Sequence, residues 1–352
     1  MIIAIITFII ILGLLVFVHE FGHFIVAKKM GVKVEEFAFG FPPRLWSIKK
    51  GDTTYSINLI PLGGYVKMLG EEDGSNQPDS FNRKSVWARI AIVVAGVIMN
   101  FILAIVLMTI GFSIGMTPLV SDPATMAGAK ESKVMITFVQ PGSPAAGAGL
   151  EANNILNGFA STSDLQKFTK DNLGKEVNLS VLKNNQTKNV TVKLSENTQS
   201  PLGVVIVSIT KVKQPVWQAF LTSIKETGLA VSTLFSFLAD IIKNVFTTGS
   251  AGAAAEGVVG PVGLFNFTAQ AIKVGWIYVL QLVILLSINL GIINILPFPA
   301  LDGGKVLFLA LEGLFKKKVV RAEIENIIHL VGFALLILLF IAITFKDVRS
   351  FF

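Results

Sequence analysis

The chain contains no cysteine, which excludes a disulfide framework and a thiolate metal site, so any metal must be held by histidine and carboxylate. Histidine is itself scarce, with three in 352 residues. Charge is scarce too: 15% of residues are charged against 52% hydrophobic, and the mean hydropathy is +0.67. No single soluble domain has that balance, and a membrane protein does. A net charge of +7 would ordinarily raise nucleic acid as a partner. Here the cations cluster beside apolar runs, as Lys28, Lys29 and Lys33, then Arg83, Lys84 and Arg89, then Lys316, Lys317, Lys318 and Arg321. That is how orientation in a membrane is written, so the expected partner is the lipid bilayer and not nucleic acid.

Four runs have the roughly 20 apolar residues that a spanning helix needs. They are Ile2 to Lys28, Ile90 to Met116, Trp276 to Leu296 and Asn326 to Phe345. The first is not read as a signal peptide, because its end carries a metal motif and not a small-residue cleavage site. A fifth stretch, Leu221 to Phe246, is interrupted by Lys225, Glu226, Asp240 and Lys243, and reads as an amphipathic segment at the interface or packed on the core. With four spans, all three basic clusters fall on the cytoplasmic side and both termini lie outside. A fifth span would turn the last two round.

Two of the three histidines lie in the first run, where His19, Glu20, Phe21, Gly22 and His23 form an HExxH pattern. On a helix, residues four apart share a face, so the two imidazoles can hold a single Zn²⁺ while Glu20 points toward the water that such a metal activates. Ionisable groups in hydrocarbon are costly and need a compensating partner such as a metal. Peptide hydrolysis is the chemistry expected of this arrangement.

A second constellation follows the third run: Asn294, Ile295, Leu296, Pro297, Phe298, Pro299, Ala300, Leu301, Asp302, Gly303, Gly304. The prolines break helical hydrogen bonding, and the glycines let backbone and side chain approach closely. An aspartate after a helix is ordinarily a cap or turn residue. Beside an HExxH motif, Asp302 becomes a third zinc ligand that leaves one position open, as catalytic sites require.

Between the first two spans, Thr53 to Asn58 alternates, Pro61 to Gly64 turns and Tyr65 to Leu69 is again extended. This predicts a β-hairpin near the membrane. Its edge either pairs with an unwound substrate backbone or simply covers the membrane face, and spacing does not choose between the two. Between the second and third spans, a hydrophilic block from Val120 to Lys213 carries strand-like pieces and suffices for one small domain. Its turn from Pro141 to Leu150 resembles the segment that precedes a short helix and an xGDxI strand in bacterial PDZ domains. Asn153 and Asn154 stand where Gly-Asp would be.

Together the HEFGH helix, the LDGG segment preceded by asparagine and prolines, and one PDZ-like insertion resemble the site-2 protease family of intramembrane zinc metalloproteases, bacterial RseP/RasP type. The resemblance covers nearly the whole chain. It implies that His19, His23 and Asp302 are zinc ligands, that Glu20 is the general base, and that Asn294 holds the substrate or the transition state. It further implies that Phe39, Gly40 and Phe41 belong to a membrane-associated loop and that Gly63, Gly64, Tyr65 and Val66 lie on the substrate-pairing hairpin. Gly260 to Gly263 also matches. So does Ala95 to Asn100, except that Val97 stands where the family has proline after Gly96, so only helix packing is assigned to Asn100. His329 matches nothing catalytic and reads as an interfacial residue.

The fold expected is a polytopic α-helical membrane protein with about four transmembrane helices, a membrane-associated β-hairpin and one extracytoplasmic PDZ-like α+β domain. Its parts are a first membrane core (1–119), the PDZ-like domain (120–213), an amphipathic segment (214–270) and a second membrane core (271–352). Localisation in a bacterial inner membrane follows, with the active site toward the cytoplasm. The resemblance implies substrates that are pre-trimmed single-span proteins such as anti-sigma factors, or signal-peptide remnants. An inactive zinc-containing scaffold that binds partners through its PDZ-like domain is the alternative, against which the presence of Glu20 speaks. A zinc transporter would spread ionisable residues over several spans.

Overall fold

The computed structural model describes all residues except 72–74, 76, 124–125, 131–132, 184–185, 197–199, 249–257, 318–319 and 352. Lys318 of the third basic cluster therefore lies outside the described residues. The chain divides into two compact units, one of residues 1–108 with 227–352 and one of residues 109–226.

The first unit opens with α1 (Ile2–Lys29), whose last turn carries Lys28 and Lys29, where cations complement the helix dipole. Its buried stripe is Ala4, Ile11, Leu15, His19, Gly22, His23 and Ala27, mostly four residues apart, so the motif histidines face inward. Ile2, Ile6, Ile10, Leu14 and Phe17 face outward, as suits hydrocarbon. Next come β1 (Val34–Lys50) and β2 (Thr53–Met68), paired antiparallel, then α2 (Val86–Ile114).

The hairpin is real, but its strands are not the ones the sequence suggests. Thr53 to Met68 is one bent strand, the turn sits at Gly51 and Asp52, and the partner is Val34–Lys50. Residues Glu36 to Phe39 register both with Lys67 to Gly64 and with Thr54 to Ile57, while Arg44 to Lys50 registers with Asn58 to Thr53. Two long strands thus fold into four segments in the order 64–68, 34–39, 53–58, 44–50. Among the described residues, segment 64–68 is an edge.

The second unit contains β3 (Ala129–Lys130), β4 (Val134–Val139), α3 (Pro144–Gly147), β5 (Ile155–Leu156), α4 (Thr162–Asp171), β6 (Glu176–Lys183), β7 (Gln186–Lys193), β8 (Val204–Ser208) and β9 (Lys211–Val212). Five of these strands form a sheet in the order β7-β6-β5-β4-β8 around a core that includes Ile136, Leu156, Leu165 and Leu179. Ser143 Oγ caps α3 by accepting from Ala146 N. Asn153 takes the left-handed φ of 68° that asparagine tolerates, and Asn154 Oδ1 accepts from Glu151 N, so the pair braces the turn before β5.

The helix α5 (Val216–Thr248) runs unbroken through the stretch expected to be amphipathic. Glu226, one of the charges that interrupt it, is buried and satisfied by Ser121 Oγ and the amides of Val120 and Ser121. The chain then returns to the first unit with α6 (Pro261–Val274), α7 (Trp276–Ile295), α8 (Asp302–Phe315) and α9 (Ala322–Phe351). By length and composition five helices qualify as membrane spans: α1, α2, α5, α7 and α9. The chain is a membrane protein.

Ile11 and Leu15 of α1 pack with Leu103 and Leu107 of α2 and Val279 and Val283 of α7. Ala27, Met68, Ile92 and Leu309 join the hairpin, α2 and α8 in a second cluster. Gly22 lets α1 and α2 touch, since a Cβ there would stand 2.4 Å from Ala95 O. The helix α8 is held by two ion pairs, Lys305 Nζ to Glu71 Oε1 at 2.7 Å and Arg89 Nη2 to Glu312 Oε1 at 2.5 Å. Arg89 is therefore buried and structural, not a free orienting charge, and removing one partner of such a pair typically costs about 3–5 kcal/mol.

Candidate metal centre

The i, i+4 spacing on α1 brings His19 Nε2 and His23 Nε2 to 3.2 Å of each other. Asp302 arrives from the other end of the chain because α7 stops at Ile295 and the 296–301 stretch loops back so that α8 starts beside the end of α7. That close return depends on missing side chains. A Cβ on Gly303 would lie 2.2 Å from the carbonyl oxygens of Ile295 and Leu296, and one on Gly304 would lie 2.4 Å from that of Phe298. Asp302 Oδ2 then stands 3.0 Å from His19 Nε2 and 3.3 Å from His23 Nε2.

These three atoms fit a tetrahedral cation. Zinc ligands at about 2.0–2.1 Å from the metal are separated by about 3.3–3.4 Å along a tetrahedral edge. Asp302 Oδ2 is buried with no hydrogen-bond partner among the described residues, an orphan that a cation would satisfy. Burial pushes the Asp302 carboxyl up, but the neighbouring His19 and His23 outweigh it and hold the group well below the usual carboxylate range.

The imidazoles are aimed from behind. His23 Nδ1 donates to the Ile92 carbonyl at 2.9 Å, which leaves Nε2 as the free lone pair. His19 Nδ1 lies 3.1 Å from the side-chain amide of Asn100, whose Oδ1 is buried without a partner. Amide oxygen and nitrogen are alike in shape, and turning the amide over lets Oδ1 accept from Nδ1–H and frees His19 Nε2 as well. Ser287 Oγ fixes this stretch of α2 by donating to the Asn100 carbonyl at 2.8 Å. Gly96 is the wall of the site, for a Cβ there would meet His23 Nε2 at 2.4 Å.

Among the expected residues, His19, His23 and Asp302 converge, and Asn294 joins them with Nδ2 3.4 Å from His19 Nε2. Glu20 turns toward the hairpin: a Cβ on Gly64 would lie 3.5 Å from Glu20 Cγ. Gly63, at φ 126°, is covered by the Phe41 ring, while Tyr65 and Val66 follow along the edge segment opposite Ala38 and Phe37. Asn100 belongs to the site in a way that helix packing does not describe. The available signal was a lone amide inside an apolar run. His329 is also more than interfacial: its Nδ1 accepts from Ala300 N at 2.9 Å and holds Ala300 at φ 74°, two residues before Asp302.

The profile of peptidase family M50 matches residues 7–339. A putative zinc metalloprotease of Clostridium perfringens is 36% identical over 342 residues, which cover 95% of this chain and 95% of the relative. A putative zinc metalloprotease of Clostridium acetobutylicum is 34% identical over 353 residues, 99% of this chain and 96% of the relative. The regulator of sigma-W protease RasP of Bacillus subtilis is 28% identical over 438 aligned positions, 99% of each chain. With buried histidines on a membrane-spanning helix facing an LDGG aspartate, and with a family profile spanning nearly all of it, the chain belongs to peptidase family M50, the site-2 proteases.

Proposed function

We propose that this zinc metalloprotease cleaves the transmembrane segments of pre-trimmed single-span membrane proteins, anti-sigma factors or signal-peptide remnants among them. The observation that carries the reading is the convergence of His19, His23 and Asp302 on the buried face of a spanning helix. The relative named as a regulator of sigma-W protease supports the substrate class.

His19, His23 and Asp302 would hold the metal. Zinc, when bound, supplies Lewis acidity that polarises the scissile carbonyl and brings the pKa of water at the site to about 7. The Glu20 carboxylate takes the proton of the attacking water and returns it to the leaving amine. Asn100 and the Ile92 carbonyl keep both imidazoles in the ligating tautomer. Asn294, whose amide lies beside His19, donates to the substrate carbonyl. A helical substrate has its backbone satisfied internally and must be unwound before it can react. The edge segment from Gly64 to Met68 offers unpaired backbone groups to the unwound strand, and Gly64 keeps the approach to Glu20 clear.

Orientation supports four spans. Along α1 and α7 the neighbours advance together, Ile11 packing with Val283 and His19 reaching Asn294, so the two helices run in the same direction. The helix α2 returns against α1, since Gly22 meets Ala95 while Ile11 packs with Leu103. An even number of crossings must then lie between α2 and α7. A single crossing by α5 breaks that count, and α6, at 14 residues, is too short to restore it. The membrane is a bacterial inner membrane, the basic clusters and the metal centre face the cytoplasm, and the block 120–213 is an extracytoplasmic PDZ-like domain that excludes bulky ectodomains. The domain parts proposed are the first membrane core (1–119), the PDZ-like domain (120–213), the amphipathic segment (214–270) and the second membrane core (271–352).

The test is cleavage of a synthetic transmembrane peptide by purified protein, read together with its zinc content. Cleavage should require zinc and stop with a chelator. A zinc-loaded protein that cuts soluble unfolded peptides and leaves every membrane-embedded one intact would overturn the reading.

A further inference from the structure

We propose that the seam between α1 and α2 is a binding site for one anionic phospholipid, with an acyl chain in the groove and the headgroup phosphate on the basic cluster at its end. The groove has a volume of about 530 Å³ and is lined by apolar residues alone, among them Ile25 and Val26 of α1 and Trp87, Ala91, Val94 and Ile98 of α2. Its volume lies within the roughly 300–1,000 Å³ of small-molecule sites. From Trp87 to Ile102 the lining runs about 22 Å along the helix axis. A single acyl chain occupies about 15 Å, half the hydrocarbon thickness, so the groove is long enough.

Charge chooses the lipid. Lys29 follows Val26 and Ile25 on the same face of α1, at positions i+3 and i+4. Arg83 and Lys84 precede the Trp87 end of α2, and Lys84 Nζ reaches over to the Gly31 turn, within 3.5 Å of where a Cβ on Gly31 would stand. Lys28, Lys29 and Arg83 are exposed. None of these four cations takes part in an ion pair among the described residues. They lie on the chain segments that flank the Trp87 end of the groove, and an anionic headgroup on a lipid chain satisfies both features at once. The site backs on the metal centre, because the groove floor is Gly22 and Ala95 while the adjoining Gly96 walls His19 and His23.

Trp87 is 78% exposed at the groove mouth and serves as the reporter. The full-length protein with Trp46→Phe, Trp217→Phe and Trp276→Phe keeps Trp87 as its single tryptophan. It is placed in phosphatidylcholine vesicles containing a minor fraction of brominated phosphatidylglycerol or, in parallel, brominated phosphatidylcholine. Brominated phosphatidylglycerol should quench Trp87 at a lower mole fraction than brominated phosphatidylcholine, and Lys29→Gln and Lys84→Gln should each reduce that preference about fivefold. Ala91→Phe, which fills the groove and leaves the cations, should remove saturable quenching. Equal quenching by the two lipids overturns the proposal, as does a preference that survives the Lys29→Gln, Lys84→Gln double change. Quenching by neither lipid places Trp87 outside the bilayer and overturns it as well.

Discussion

Asn100 of α2 and His19 of α1 meet side chain to side chain at 3.1 Å within the apolar interior of the first unit. A buried amide that serves only helix packing would not need this partner. We predict that Asn100→Ala weakens zinc binding about 10–100-fold, the usual effect of losing a group that orients a ligating imidazole. Asn100→Asp, which can accept from Nδ1–H, should restore most of it. Zinc titration against a competing chelator reads the affinity directly. Equal losses in the alanine and aspartate variants would reduce Asn100 to packing.

Gly96 gives a steric prediction at the same wall. The methyl group of Gly96→Ala would stand 2.4 Å from His23 Nε2 and 2.8 Å from His19 Cε1, so helix or imidazoles must move. Overpacking of this kind costs about 1–3 kcal/mol, and here it falls on the ligand atoms. Zinc occupancy should drop while helix content, followed by circular dichroism, stays near the parent's. In Gly228→Ala a Cβ meets nothing within 4 Å, so zinc binding should be unchanged. Full zinc content in Gly96→Ala would show that the wall yields.

How much of this was legible depends on the range of the signal. The spacing of His19 and His23 needs only helix geometry, and Asp302 announced itself through the glycines that crowd the Ile295 and Phe298 carbonyls. The partner strand Val34–Lys50 was illegible because Pro42 and Pro43 interrupt any alternation and prolines argue against a strand. The sequence pattern therefore points to a turn at Pro61 to Gly64, whereas the chain turns at Gly51 and Asp52. His329 and Asn100 act through contacts 29 and 81 residues away in sequence, which no local pattern reports.

Glu20→Gln should retain zinc and fold and lose proteolysis by about 10²–10⁴-fold, because an amide cannot accept the proton of the attacking water. Its place between the two histidines, facing Gly64 on the edge segment, motivates the assignment. Near-normal cleavage of a transmembrane substrate by this variant would show that another group is the base.

Asp302→Ala should lower zinc occupancy and activity together, since two imidazoles alone leave the metal under-coordinated. Asp302→Asn should hold more metal than the alanine variant and still be severely slow. Metal analysis of the purified proteins decides the matter. Full zinc content in Asp302→Ala would mean that a different residue is the third ligand.

The last prediction concerns the block from Val120 to Lys213. Within residues 109–226 the five-stranded sheet closes around its own core of Ile136, Leu156, Leu165 and Leu179, and none of the converging metal-site residues comes from it. Replacing 120–213 by a flexible linker should therefore leave cleavage of a short, pre-trimmed substrate near the parent rate. Substrates with large ectodomains, which a filter would keep from the intact protein, should then be cut too. The left-handed Asn153 and the inward-turned Asn154 motivate a steric filter over a peptide-carboxylate receptor, because the turn is built to brace its own backbone at Glu151. The readout is the ratio of cleavage rates for the trimmed and untrimmed forms of one substrate, which should fall toward one on deletion. A deleted protein that remained helical and zinc-loaded yet cut neither form would make the block part of the working enzyme and end the filter hypothesis.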